Sequence, residues 1–329
     1  METATENLVS ALQSMNNSKD ILISFVIPCY NSSKSLKVVT KEILNTLKQN
    51  AVTNYEIILV NDNSSDSTLE IIKKLCDNNE RFIGINLSNN FGQQQAMLAG
   101  FNHAEGSLVA YCDDDGQSPV SEVFKLTEKI NQGFDMVWAK YDSNDDSLMK
   151  RCGCFLNNCM LKLFFKKPFR LHFGNLWVAK RFVIKQAATC NNPFPYLGGI
   201  FLKITLNMSN VTLIKRKRIS GCSNYSFLKL FSVWLNGFTA FSVLPLRLAS
   251  FLGFIFSASG FITFLYIIYI KLNNPDIPVG YTSIISLILF TMGNVMLMLG
   301  IIGEYIGRIY INLNSVPQYV IKDIIIKGN

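Results

Sequence analysis

Two stretches of this chain, 249–270 and 279–302, contain no charged residue, and no other feature narrows the possible folds as much. An α-helix rises about 1.5 Å per residue, so the shorter stretch covers roughly 33 Å against a hydrocarbon core near 30 Å. Each is therefore predicted to span a bilayer. Buried core helices of soluble proteins are rarely so long and so free of charge. Only 271–278 separates the two, with Lys271 and Asp276 its charged residues. Basic residues gather on the other side, at Lys215, Arg216, Lys217, Arg218, Lys229, Arg247, Arg308, Lys322 and Lys327. The positive-inside rule then predicts that the N-terminal domain and the C-terminal tail both lie in the cytoplasm. Residues 1–20 are polar and lack the basic start and apolar run of a cleavable signal.

The spans also decide what the charge means. A formal net charge of +8 suits either nucleic acid or an anionic membrane surface. With two spans in the chain the lipid bilayer is the simpler partner, and no nucleic acid is expected. Eight cysteines in a cytoplasmic domain are expected to be reduced thiols. Cys152, Cys154 and Cys159 lie close together. The only histidines are His103 and His172, however, and the spacing fits no zinc knuckle, so these are read as packing thiols.

Before the spans, short apolar runs alternate with helical patterns. Strands are predicted at 21–27, 55–60, 82–87, 108–112 and 134–139, with helices at 34–47, 67–76, 94–104 and 121–130 between them. This alternation predicts an α/β domain around a mostly parallel sheet covered on both faces. Ligands of such sheets bind at the carboxyl ends of the strands. The polar clusters fall there: Tyr30-Asn31, Asn61-Asp62-Asn63 and Asp113-Asp114-Asp115. The expected organisation is a domain over 1–225, an amphipathic interfacial helix over 226–243, a transmembrane hairpin over 244–311 and a tail over 312–329. In 226–243 the polar Lys229, Ser232, Asn236 and Thr239 recur at helical spacing among Phe227, Leu230, Phe231, Trp234 and Leu235, as a helix lying in the bilayer interface requires.

Asp113 and Asp115 stand two apart where the fourth strand is expected to end, which would point both carboxylates the same way. Like charges held together repel unless a cation lies between them. Carboxylate oxygens suit Mg²⁺ or Mn²⁺, and Gln117 adds a carbonyl oxygen. The alternative is a solvated acidic turn punctuated by Gly116 and Pro119. Neither a Ser-His-Asp set nor a Walker-type glycine loop is apparent, so the chemistry is expected to rest on carboxylates, a metal and basic side chains.

Several stretches resemble the family 2 glycosyltransferases of GT-A fold, in particular the polyprenyl-phosphate branch with dolichol phosphate mannose synthases and bactoprenol glucosyltransferases. They are Val26-Ile27-Pro28-Cys29-Tyr30-Asn31, the run from Val60 to Thr68, Leu87-Ser88-Asn89-Asn90-Phe91-Gly92 with Ala99-Gly100, and Asp113 to Pro119. Arg218, Gly221, Ser223 and Tyr225 resemble the family's R-x-x-G-x-S-x-Y stretch, and Gly303 to Tyr310 resembles the end of its second span. The resemblance implies a nucleotide-diphosphate sugar as donor and polyprenyl phosphate as acceptor, in a bacterial inner membrane. Pro28, Tyr30, Asn31 and Asp62 would hold base and ribose, with Asp114 beside them. Asp113, Asp115 and Gln117 would hold the metal, and Asp115 would be central to catalysis. Lys140 and Arg151 would grip acceptor phosphate, and Arg218 and Ser223 would contact a phosphate of donor or acceptor.

The chain departs from the family at Ser32, where a glutamate is usual, at Asn224, where a lysine is common, and around 174–177, where acidic and arginine residues are absent. An acceptor such as diacylglycerol would need a general base, and none is apparent. A silent nucleotide-sugar binder would not need the Asp113, Asp115 and Gln117 set. Gly253, Gly260, Gly293, Gly300, Gly303 and Gly307 would let helices approach closely, within the hairpin or in a homo-oligomer.

Overall fold

The computed structural model describes residues 23–141, 167–168, 171–190, 195–214, 216, 244–273, 280–313 and 317–328. The chain forms two compact units, one of 1–230 with 317–329, the other of 231–316.

The first unit is built on β1 (Ile23–Cys29), β2 (Tyr55–Asn61), β3 (Phe82–Leu87), β4 (Leu108–Cys112), β5 (Met136–Tyr141), β6 (Leu176–Lys180), β7 (Met208–Leu213) and β8 (Ile321–Ile325). Among the described residues these make one eight-stranded sheet of order β7-β5-β6-β4-β1-β2-β3-β8. Pairings β1–β2, β1–β4, β2–β3 and β5–β7 are parallel, while β4–β6, β5–β6 and β3–β8 are antiparallel. β1 is buried at every position, which suits a central parallel strand covered on both faces. Pro28 is tolerated there because β1 pairs with β4 only through Val26, so no partner on that side needs its missing N–H.

Helices α1 (Leu36–Gln49), α2 (Thr68–Asn78), α3 (Gln93–His103) and α4 (Val123–Asn131) alternate with the first strands, within a residue or two of the predicted bounds. In α1 the buried Leu36, Val39, Ile43 and Leu47 recur at helical spacing and pack against Phe25, Ile27, Ile57 and Leu59. Helices α5 (Arg181–Ala188) and α6 (Leu197–Ile204) follow β6. Phe101, Tyr111, Trp138, Phe173, Trp177 and Phe201 form an aromatic cluster with neighbouring ring centroids 4.6–6.4 Å apart.

The segment set apart as a tail holds β8, an edge strand of this sheet. Gln318 Nε2 also donates to the Cys190 carbonyl at 2.8 Å, and Asn102 Nδ2 to the Tyr319 hydroxyl at 2.7 Å.

The second unit contains α7 (Leu244–Asn273, 30 residues) and α8 (Tyr281–Leu313, 33 residues). Over the described residues alone, no helix is long and apolar enough to cross a membrane. The structure therefore does not by itself supply the two spans expected from the sequence. The amphipathic stretch 226–243 lies outside the described residues.

Candidate active site

Strands β1, β2, β3 and β4 run parallel, so the loops after them share one edge of the sheet. The antiparallel β6 brings its start to that edge, since Leu176 pairs with Cys112. β5 is antiparallel to β6 and ends there as well. The topology thus gathers Tyr30-Asn31, Asp62-Asn63, Asp113 to Gln117, Tyr141 and Asn175 from distant parts of the chain.

The first two loops are zipped together. Asn31 N–H donates to Ser64 Oγ at 3.1 Å, and Asn31 Oδ1 accepts from Ser65 N–H at 2.9 Å. Ser33 N–H donates to Asp66 Oδ2 at 3.1 Å, and Ser32 N–H to Thr68 Oγ1 at 2.9 Å. Asn31 and Asn63 both adopt positive φ, near 53° and 52°, a conformation asparagine tolerates better than most residues. Tyr30 is left 47% exposed at the rim, with its ring free to meet a ligand.

Asp62 is spent on the backbone. Its two oxygens accept the N–H groups of Phe91 and Gly92, each at 2.8 Å, fixing the turn into α3. Gly92 has φ of 98°, which a side chain would strain. Burial raises the Asp62 carboxyl, and the two N–H bonds partly offset that.

Asp113 is the most heavily engaged carboxylate. Tyr111 Oη donates to Oδ1, Gln93 Nε2 donates to Oδ1 at 2.9 Å, and Asn175 Nδ2 donates to Oδ2 at 2.6 Å. Burial pushes Asp113 up to about 7, with repulsion from Asp115 and Asp114 adding to it and the Tyr111 and Asn175 bonds opposing. Asp114 turns the other way and accepts the Tyr30 N–H at 3.1 Å. Burial, with Asp115 repulsion, raises it to about 6 against hydrogen bonds from Ser32 and Tyr30. Asp115 Oδ1 accepts the Gln117 N–H at 2.9 Å. Burial, with repulsion from these carboxylates, raises the Tyr141 hydroxyl to about 12.

β4 ends at Cys112, so residues 113–116 form a turn and the strand-alternation argument does not reach Asp115. The turn itself sets where each carboxylate points. Among the described residues no three His, Cys, Asp or Glu side chains form a ready metal cage. A magnesium-type site needs only one or two carboxylates when phosphate and water fill the other positions. Three mutually repelling carboxyls, two of them raised, suit a divalent cation. Asp115 and Gln117, both partly exposed, could hold it, with Asp113 buttressed beside them.

Lys140 lies on β5 beside Thr212 of β7, half-buried, and makes no hydrogen bond to the Asp113–Asp115 turn. Arg151, Arg218 and Ser223 lie outside the described residues. Pro28 is buried in β1, two residues before Tyr30. Reasoning from sequence missed Gln93, Tyr111 and Asn175. Gln93 directly follows the Leu87–Gly92 stretch and Tyr111 precedes Asp113 by two, so proximity to motifs was the available signal. Nothing local marks Asn175.

Residues 24–168 match the family model described as Glycosyl transferase family 2, and 244–309 match the GtrB C-terminal hairpin. The chain is 33% identical over 316 residues to the putative glycosyltransferase CsbB of Bacillus subtilis, covering 93% of this chain and 92% of that one. The chain belongs to glycosyl transferase family 2. This glycosyltransferase is also 30% identical over 309 residues to the undecaprenyl-phosphate 4-deoxy-4-formamido-L-arabinose transferase of Photorhabdus laumondii, covering 92% and 94% of the two chains. In fold it is similar to glucosyl-3-phosphoglycerate synthase of Mycobacterium tuberculosis, solved with Mn²⁺, UDP and glucosyl-3-phosphoglycerate. The TM-score there is 0.51 at 16% identity, over 70% of this chain and 81% of that one. The likeness establishes a GT-A α/β fold for the glycosyltransferase.

Proposed function

We propose that this glycosyltransferase moves a sugar from a nucleotide-diphosphate donor onto polyprenyl phosphate at the cytoplasmic face of a bacterial inner membrane. The observation that carries the donor half is the convergence of the Tyr30-Asn31 loop and the buttressed Asp113 to Gln117 turn on one sheet edge. Tyr30 offers a ring for the base, and Asn31 with its zipped neighbours shapes the ribose pocket. Asp62 contributes by fixing the Phe91-Gly92 turn. Asp115 and Gln117, backed by Asp113, would hold Mg²⁺ or Mn²⁺, which would offset the charge of the donor diphosphate.

The acceptor half is supported by relatives named for undecaprenyl phosphate. A phosphate monoester has a second pKa near 6, so at neutral pH it is mostly dianionic and needs positioning more than a general base. Its oxygen attacks the anomeric carbon from the side opposite the diphosphate, inverting configuration. Arg218, Ser223, Lys140 and Arg151 are the candidates for orienting the two phosphates.

The membrane half rests on the sequence. Among the described residues no helix is long and apolar enough to cross a membrane. α7 contains all of the charge-free 249–270 and α8 contains 281–302 of the second charge-free stretch, and at about 1.5 Å per residue each helix exceeds the roughly 30 Å core. A hairpin with its short turn outside and the interfacial 226–243 beside it would keep the site at the headgroups.

The test incubates membranes holding the protein with polyprenyl phosphate, Mg²⁺ or Mn²⁺ and a panel of nucleotide sugars, with mass spectrometry of the lipids. A glycosylated lipid phosphate that vanishes with EDTA and in Asp115→Ala is the expected result. Retention of anomeric configuration, or a product on a neutral lipid only, would overturn the reading.

A further inference from the structure

Asn61, Asn86 and Asp323 stand directly opposite one another across β2, β3 and β8 at the ligand-bearing edge of the sheet. Asn86 Nδ2 donates to Asp323 Oδ2 at 3.1 Å, and Asn61 Nδ2 donates to Asn86 Oδ1 at 2.8 Å. Asn61 Oδ1 then accepts the Ser64 N–H at 3.3 Å, and Ser64 Oγ accepts the Asn31 N–H at 3.1 Å. Asn61 and Asn86 are buried, at 2% and 6% exposure, so their amides have few partners outside this row.

The direction of the row is set at its end. An ionised carboxylate only accepts, whereas an amide has one accepting and one donating end. Asp323 therefore requires Asn86 to present its NH₂, which turns the Asn86 oxygen toward Asn61. Asn61 must in turn present its NH₂ to Asn86 and its oxygen to Ser64. One acceptor on the edge strand thus orients two amides in series and, through them, the loop carrying Ser64 and Asn31. That edge strand lies beyond α8 in the chain, in a segment that belongs to the sheet unit.

We propose that Asp323 is a positioning residue for the donor site, acting through Asn86 and Asn61 on the Asn31 and Ser64 loop. This rests on the donor site proposed above; the relay itself does not. The test uses the full chain in lipid nanodiscs, comparing Asp323→Ala, Asp323→Asn and Lys322→Ala. Asn at 323 still offers an accepting oxygen and preserves the row, whereas Ala removes it. Lys322 is an exposed neighbour on the same strand and serves as the control for loosening of β8.

Hydrogen exchange is read at the Asn31 and Ser64 amides, alongside donor KM and kcat. Losing one hydrogen bond of this kind is worth about 1 kcal/mol, so Asp323→Ala should raise exchange at both amides and donor KM by about fivefold. In that variant kcat stays within about twofold, and Asp323→Asn restores wild-type values. Unchanged exchange in Asp323→Ala overturns the relay, as does Lys322→Ala matching Asp323→Ala. Raised exchange with unchanged donor KM overturns the positioning role. If the wild type turns over no nucleotide sugar, the proposed function fails, while the exchange result still decides the relay.

Discussion

Asp113 takes hydrogen bonds from Tyr111 on its own strand, Gln93 at the start of α3 and Asn175 before β6. A hydrogen bond to a charged group is worth about 1.5–3 kcal/mol, so removing Asn175 or Gln93 should cost roughly tenfold or more in kcat/KM. Asn175→Ala and Gln93→Ala, assayed beside Asp115→Ala, check this; wild-type rates in both would mean that Asp113 needs no buttress. The motif aspartates were legible because their spacing is local. Asn175 was not, because only the antiparallel β4–β6 pairing brings it to Asp113. A second prediction concerns thiols. Cys29, Cys76 and Cys112 are buried, and burial raises all three, Cys76 to about 11, so little thiolate exists at neutral pH. In the native protein iodoacetamide should label the partly exposed Cys190 well before these three, as peptide mapping would report.

The strands and helices of the first half were legible to within a residue or two because each apolar run and each helical face is complete within its own segment. Partners were another matter: antiparallel insertion of β6 depends on how Trp177 packs against Tyr111, Trp138 and Phe201, which no local pattern encodes. Asp135 ties the start of β5 to the end of β6 and to the segment leading into β7. Its Oδ1 meets Lys180 Nζ at 2.9 Å, and its Oδ2 accepts from Thr205 Oγ1 at 2.9 Å. Burial pushes this carboxyl up, but the Lys180 and Thr205 contacts outweigh it and leave it below its usual value. A carboxyl lowered in the folded state adds stability above its unfolded pKa, near 4, and that stability is lost as pH falls through the folded value. Asp135→Asn should therefore lower the melting temperature at pH 7 and narrow its gap to wild type by pH 3. A constant gap across that range would show that the ionised form contributes nothing.

At the scale of the whole molecule, the charge-free stretches imply a hairpin, and the sequence sets the segment after it apart as a tail over 312–329. It holds a strand. Residues 320–326 alternate poorly, since Ile324, Ile325 and Ile326 run together, so neither a strand face nor its partner could be read from them. In the fold Ile325 is 8% exposed and packs where β3 has Gly84; a Cβ at Gly84 would meet the Ile325 Cβ at 3.1 Å. Ser88 N–H donates to the Val320 carbonyl at 2.9 Å, extending the β3–β8 ladder beyond the strand. Burying one isoleucine is worth about 1.5–3 kcal/mol, and each kcal/mol moves the melting temperature of a domain this size by about 2–4 °C. Ending the chain after residue 316 should thus lower the melting temperature by about 5–10 °C. It would also bare the β3 edge, an invitation to strand pairing between molecules, so the truncated protein should associate more readily on size-exclusion chromatography. Asp323→Ala keeps the strand, so it should lower the melting temperature by only about 2–4 °C and should not associate. If the truncated chain melts and elutes as the full one does, β8 is an ornament on the sheet and the catalytic unit is complete without it.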